Sequence, residues 1–200
     1  MKEFNNTYLI MRHGQSEANV ADIVVSDPAN GCSKYGLSEM GKHQAREAAL
    51  AVSNQNVDLI YCSDFKRTKE TADIVAQVLS VEPVTDARLR ERFFGQYEGK
   101  SSASYDEVWK KDALDSDQTE MGVESTTSVR RRAVAFVAEL EQLFFGKVIL
   151  LVSHGDTLQI LSSAFHDIES GQHRTLPHHE TGEVKTLAKA GSSKNREFTL

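Results

Sequence analysis

Three short apolar runs, each ending in polar residues, constrain this chain more than any other feature. Residues 7–11 (TYLIM) stop at Arg12-His13-Gly14, residues 57–62 (VDLIYC) at Ser63-Asp64, and residues 148–152 (VILLV) at Ser153-His154-Gly155-Asp156. Such short runs, rich in branched side chains, read as buried strands. Between them lie stretches with apolar positions at helical spacing. Ala45, Ala48, Ala49 and Val52 share a face in 38–53, Thr68, Ala72, Val75 and Leu79 in 64–80, and Val129, Ala133, Phe136, Leu140 and Leu143 in 125–145. Strands alternating with amphipathic helices predict an α/β fold, a three-layer α/β/α sandwich with a mostly parallel sheet.

The remaining elements are smaller. A short third strand is expected at Pro83–Thr85, a loop at 89–99, a helix from His154 to about Phe165, and a late strand at 183–188. The polar stretch 101–122, with a helix near 105–111, reads as a small insertion over the carboxyl ends of the strands. Residues 1–200 are expected to form one domain. Its polar tail, 191–200, reads either as flexible or as adding a strand edge through 197–200.

Composition narrows the partners. The net charge of −6 argues against a nucleic-acid surface. The one basic cluster, Arg130-Arg131-Arg132, is expected on a solvated helix face. The longest apolar run, Ala133 to Ala138, is too short to cross a membrane. The N-terminus lacks a secretory core, and Cys32 and Cys62 form no CxxC pair, so a cytoplasmic protein is expected. Cys62 reads as a buried strand residue.

In open α/β sheets, ligands bind at the carboxyl ends of the strands. That edge offers Arg12, His13, Arg67, His154 and the N–H groups at two helix starts. Guanidiniums, imidazoles and helix N-termini together suit a tetrahedral oxyanion such as phosphate. No metal-ligand spacing is present, and Arg12 beside His13 would repel a cation, so neither a metal nor another cofactor is expected.

Arg12-His13-Gly14-Gln15-Ser16-Glu17-Ala18-Asn19 resembles the signature of the histidine phosphatase superfamily, the phosphoglycerate-mutase-like enzymes. Ser63-Asp64-Phe65-Lys66-Arg67-Thr68, Glu91 followed by Gly95-Gln96-Tyr97-Glu98-Gly99, and Ser153-His154-Gly155-Asp156 also match it in order and spacing. The resemblance implies that His13 is the nucleophile, forming a phosphohistidine, and that Glu91 is the general acid and base. It implies that Arg12, Arg67 and His154 neutralise the phosphoryl oxygens, with Asn19 and the Gly155 N–H as further donors. A mildly acidic to neutral optimum follows for Glu91. Arg92 reads as a surface ion-pair partner. His43, His166, His173, His178 and His179 receive no catalytic role, although the His178-His179 pair is a candidate for the entrance.

The family resemblance leaves hydrolase and mutase open. Mutases of this family carry a tyrosine shortly after the general acid, where this chain has Phe94. The 101–122 insertion is short, acidic at Asp112, Asp115, Asp117 and Glu120, and has only Lys110-Lys111 as a basic pair. These features favour a metal-independent phosphomonoesterase acting on a small phosphorylated metabolite, with broad specificity as the default. A cofactor-dependent phosphoglycerate mutase is the alternative. A catalytically silent phosphate-binding scaffold is a third reading, of a different class.

Overall fold

The computed structural model describes residues 3–194 and Phe198. In chain order its elements are β1 (Thr7–Arg12), α1 (Glu17–Val20), α2 (Pro28–Gly31), α3 (Glu39–Ala51), β2 (Leu59–Cys62), α4 (Lys66–Leu79), β3 (Pro83–Thr85), α5 (Tyr105–Asp112), α6 (Thr126–Leu143), β4 (Val148–Ser153), α7 (Gly155–Phe165) and β5 (Val184–Ala188). Among the described residues these strands form one sheet in the order β3-β2-β4-β1-β5. Every pair is parallel except β1 with β5. Helices cover both faces, as the alternating pattern predicts.

Alternate strand residues feed two cores. Tyr8, Ile10, Ile149 and Leu151 pack against Ala133, Phe136, Val137 and Leu140 of α6 and Leu158 and Leu161 of α7. Leu9, Met11, Ile60, Cys62, Leu150 and Val152 pack on the other side against α3 and α4, through Ala45, Ala48, Ala49, Ala72 and Val75. Central strands buried on both faces must be apolar throughout, which is why β1 and β4 show runs rather than alternation. Burying a leucine or valine of this kind contributes about 1.5–3 kcal/mol. Ser38 and Ser125 cap α3 and α6 by accepting from Gly41 N and Ser128 N.

Two expectations change. Leu143 points outward, 63% exposed. The chain leaves the helix at Phe144, which adopts an extended conformation and packs against the core in its place. The Arg130-Arg131-Arg132 cluster is not a solvated face, because only Arg131 is exposed. Arg130 donates to Ile168 O at 2.5 Å, and Arg132 Nη1 donates to Arg88 O and Arg90 O at 2.7 and 2.9 Å. Arg132 thereby splints the segment that carries Glu91. Of the tail, Gly191 N donates to Phe4 O at 2.9 Å and Phe198 packs on Phe165 at 4.4 Å. Apart from Phe198, the 197–200 strand edge lies outside the described residues. No helix among the described residues is long and apolar enough to cross a membrane.

Candidate active site

Sheet register creates the site. Arg12 is the partner of Ser153, and Cys62 of Val152, so β1, β4 and β2 end side by side. The residues that follow them, His13, His154 and Ser63, are therefore neighbours although they are far apart in sequence. The His13 and His154 rings lie 5.3 Å apart at 66°.

Their hydrogen bonds define both tautomers. His13 Nδ1 lies 2.7 Å from the Gly14 carbonyl, which can only accept, so Nδ1 carries the proton and Nε2 presents its lone pair. Arg67 Nε donates to that Nε2 at 3.1 Å and to His154 Nδ1 at 3.2 Å. His154 Nε2 then donates to Ser63 Oγ at 2.9 Å. Burial, reinforced by Arg67 and by a second neighbour (Arg12 at His13, His13 itself at His154), holds both imidazoles well below their ordinary acidity of 6.5. Both rings are neutral at pH 7.

The two guanidiniums are held from behind. Arg12 Nη1 donates to His179 O at 2.8 Å, and Arg67 Nη2 donates to Val25 O at 2.9 Å. Arg12 Nε and Arg67 Nη1 are buried with no partner among the described residues. Buried N–H groups are nearly always bonded, so two orphaned donors beside His13 suit an anion. Burial also pulls both guanidiniums below their ordinary pKa. A Cβ on Gly155 would sit 3.2 Å from Arg12 Nε, so glycine there lets the first turn of α7 close on this guanidinium.

Glu91 stands at the opposite wall. Its Oε1 accepts from Arg92 N at 2.9 Å, Thr157 N at 3.2 Å and Thr157 Oγ1 at 3.1 Å, so it also caps the third N–H of α7. Burial and the nearby Asp156 push its carboxyl up, and Arg67 and these N–H donors only partly oppose the rise. Asn19 closes the cleft. Its side-chain oxygen accepts from Ser16 N at 2.9 Å in a capping box, which fixes the amide at the rim.

Arg12, His13, Asn19, Arg67 and Glu91 thus line one cleft of about 100 Å³, with His154 behind Arg67 and Gly155 against Arg12. Tyr105, Ser102, Asp22 and Ser16 line it too. Sequence reasoning places 101–122 over this edge but does not single out these residues, because no local pattern says which side chains enter the cleft. Burial and the neighbouring Glu91 push the Tyr105 phenol up. Among the described residues no group of His, Cys, Asp and Glu is arranged to hold a metal ion.

Two residues depart from expectation. Arg92 is fully buried rather than on the surface. Its guanidinium grips Asp112 at 2.5 and 2.7 Å and Asp156 at 3.3 Å, and its Nε donates to Glu124 O at 2.6 Å. Asp112 therefore presents no charge to a ligand, contrary to the acidic face expected for the insertion. Asp156 also accepts from Trp109 Nε1 at 3.0 Å and meets His173 Nε2 at 2.8 Å. This network pins the insertion to α7. Lys111, half of the basic pair, is committed to Glu107 and Glu120. Phe94 is 1% exposed and packs edge-on against Tyr105.

Comparison with known proteins agrees with this geometry. The model of the histidine phosphatase superfamily (branch 1) matches residues 8–195. The chain is 36% identical over 174 residues to probable phosphoglycerate mutase GpmB of Photorhabdus laumondii, covering 84% of this chain and 78% of that protein. It is 33% identical over 172 residues to the protein of the same name from Yersinia pestis, with the same coverage. Among solved structures, the mycobacterial glucosyl-3-phosphoglycerate phosphatase superposes with a TM-score of 0.77 at 26% identity, covering 90% of this chain and 88% of that one. YhfR of Bacillus stearothermophilus, at 24% identity and a TM-score of 0.76 over 96% and 99% of the two chains, shares the fold.

Proposed function

Because this chain belongs to the histidine phosphatase superfamily, we propose that it hydrolyses small phosphomonoesters without a metal, through a phosphohistidine on His13. The observation that carries this reading is the pair of orphaned N–H groups, Arg12 Nε and Arg67 Nη1, beside a neutral His13.

In the first step the His13 Nε2 lone pair forms the N–P bond as the P–O ester bond breaks. Glu91, whose carboxyl is pushed up by burial, passes its proton to the departing oxygen, which leaves as an alcohol. Arg12, Arg67, Asn19 and the Gly155 N–H take up the charge of the phosphoryl oxygens, and the His154–Ser63 bond keeps the neighbouring imidazole in register. In the second step water attacks phosphorus while ionised Glu91 removes its proton. The N–P bond breaks, and phosphate departs from a neutral His13.

A phosphoglycerate mutase is the second reading, favoured by the names of the GpmB relatives. Hydrolysis is preferred because Phe94 is buried without a hydroxyl and Lys111 is spent on Glu107 and Glu120. The site is complete, which speaks against a silent scaffold. A cytoplasmic setting goes with this function, since Cys32 and Cys62 are both free thiols.

The test is release of p-nitrophenol from p-nitrophenyl phosphate in excess EDTA by wild type and His13→Ala. Activity that survives the chelator and vanishes in the variant supports the proposal. Activity retained by His13→Ala sinks it. An inactive wild type that transfers phosphate between phosphoglycerates establishes the mutase instead.

A further inference from the structure

Arg174 makes no direct ion pair with a carboxylate among the described residues. It lies in the 3-10 segment Ser170–Thr175, which the structure fastens on several sides. His173 Nδ1 donates to Ser170 O at 2.9 Å, Gly171 N donates to Ser116 Oγ at 3.1 Å, and a Cβ on Gly171 would meet Asp112 O at 2.1 Å. The segment is therefore a fixed platform. From it the Arg174 guanidinium lies 3.8 Å from the centroid of the Trp109 ring, while Nη1 donates to Gln159 Oε1. Its Nε and Nη2 have no partner among the described residues, and no Asp or Glu there forms an ion pair with it. Burial pulls its pKa down even with Asp156 and Asp106 in range. In a chain of net charge −6, an arginine oriented on two sides and left without a direct ion pair is set up to receive an anion.

Its position relative to the cleft gives the anion an identity. Trp109 stacks on Tyr105 at 5.3 Å and 13°, and Tyr105 forms a wall of the phosphate cleft. Arg174 therefore stands at the outer end of a ladder that begins at the reacting phosphoryl group. On the same side, the exposed His178 faces Arg12 Nη1 through Nε2 at 3.1 Å. An arginine takes a lone pair there, so the other ring nitrogen carries a proton that can be donated outward. The cleft itself, about 100 Å³, has room for the phosphoryl group, and a substrate body that leaves it past Tyr105 runs along this ladder.

We infer that Arg174, assisted by His178, binds a second anionic group on the substrate, so that the preferred esters carry a carboxylate or a second phosphate several bonds from the scissile phosphate. This deepens the phosphatase reading and rests on it for the term substrate. Arg174 recognises the remote end and takes no part in the chemistry. The acidic face expected for the insertion would have repelled such a ligand. That obstacle is absent at Asp112, which Arg92 neutralises.

The experiment compares matched esters differing at the far end: 4-phosphooxybutanoate and butane-1,4-diol bisphosphate against 4-hydroxybutyl phosphate. The readout is the ratio of kcat/KM for the anionic and neutral esters, in which any general damage cancels. A charged hydrogen-bonded contact supports a preference of about tenfold. Wild type is expected to show it, Arg174→Gln to bring the ratio near one through KM, and Arg174→Lys to keep part of it. Preference for the carboxylate alone, or for the bisphosphate alone, identifies the source of the charge. A wild-type ratio near one, or the same ratio in Arg174→Gln, overturns the inference. The same ratio is also read as Kd by calorimetry in a His13→Asn background, with and without Arg174→Gln. If no ester is hydrolysed, the phosphatase reading fails, and the Kd ratio still decides the role of Arg174.

Discussion

Two charged clusters lie side by side at the carboxyl edge of this sheet, and they are built on opposite rules. Around Asp156, the Arg92 guanidinium, both carboxylates, the Trp109 N–H and His173 are matched donor to acceptor, with Gln118 completing Asp112 at 2.6 Å. Around His13, two buried guanidinium nitrogens have no partner and two arginines face neutral imidazoles. The first cluster is a fastening, because a buried charge is tolerated when its hydrogen bonds are complete. The second is built like a binding site, because its unpaired donors are set for an anion. Carboxyl groups follow the same division. Burial pushes Asp156 up, but His173, Arg92 and Arg174 outweigh it and hold the group low. At Glu91 the opposition from Arg67 and two backbone N–H groups is only partial, and the group stays high.

If this division is real, the clusters must answer to different measurements. Replacing His13 with alanine should lower kcat by roughly 10⁴-fold or more, and mass spectrometry should no longer detect a phosphorylated chain. Glu91→Gln should cost about 10²–10⁴-fold on alkyl phosphates. The loss should be much smaller on p-nitrophenyl phosphate, whose leaving group departs without a proton. Comparable losses on both esters would remove Glu91 from the acid role.

The sharpest contrast is between two arginines. Arg92→Met strands Asp112 and Asp156 and should cost about 3–5 kcal/mol in urea unfolding. Arg67→Met removes a buried, partly orphaned charge facing Arg12. It should leave stability unchanged or higher while kcat/KM falls by roughly 10²–10³-fold. Equal stability losses in the two variants would break the comparison. Gly155→Ala should have a milder effect, about tenfold in kcat/KM, through displacement of Arg12.

The smallest effect is in the pH dependence of stability. A carboxyl whose folded acidity is raised costs stability as pH climbs from its ordinary value, 4.5 for Glu91, toward its folded value, and the cost is constant above that. Asp156 has the opposite sign: its contribution is present at neutral pH and is lost only in strong acid. Urea unfolding should therefore find Glu91→Gln gaining on wild type as pH rises above 4.5 and then levelling off. A constant gap from pH 4 to 8 would contradict the raised acidity of Glu91.

Much of this architecture is legible in the order of residues. The strands are apolar from Tyr8 to Met11 and from Val148 to Val152, and the helix between Ser125 and Phe144 shows its 3.6-residue period down to Leu140. Arg12, His13, Arg67 and His154 follow strand ends or open a helix, so predicting the sheet already gathers them. What escaped were partners. Arg92 reads as a surface ion-pair partner because it stands next to Glu91, yet Asp112 and Asp156 arrive from an insertion and from α7. Arg132 looks like part of a solvated basic run but holds the carbonyls of Arg88 and Arg90. Tyr105, Trp109 and Arg174 carry no motif at all.

By itself, then, the sequence determined where strands and helices run and which side chains stand at the sheet edge, because periodicity and strand-end position are local properties. Only the tertiary structure decided which charges are neutralised and which are left waiting. The energy of a buried charge depends on the atoms within a few ångströms of it, and those atoms come from segments that only folding brings together.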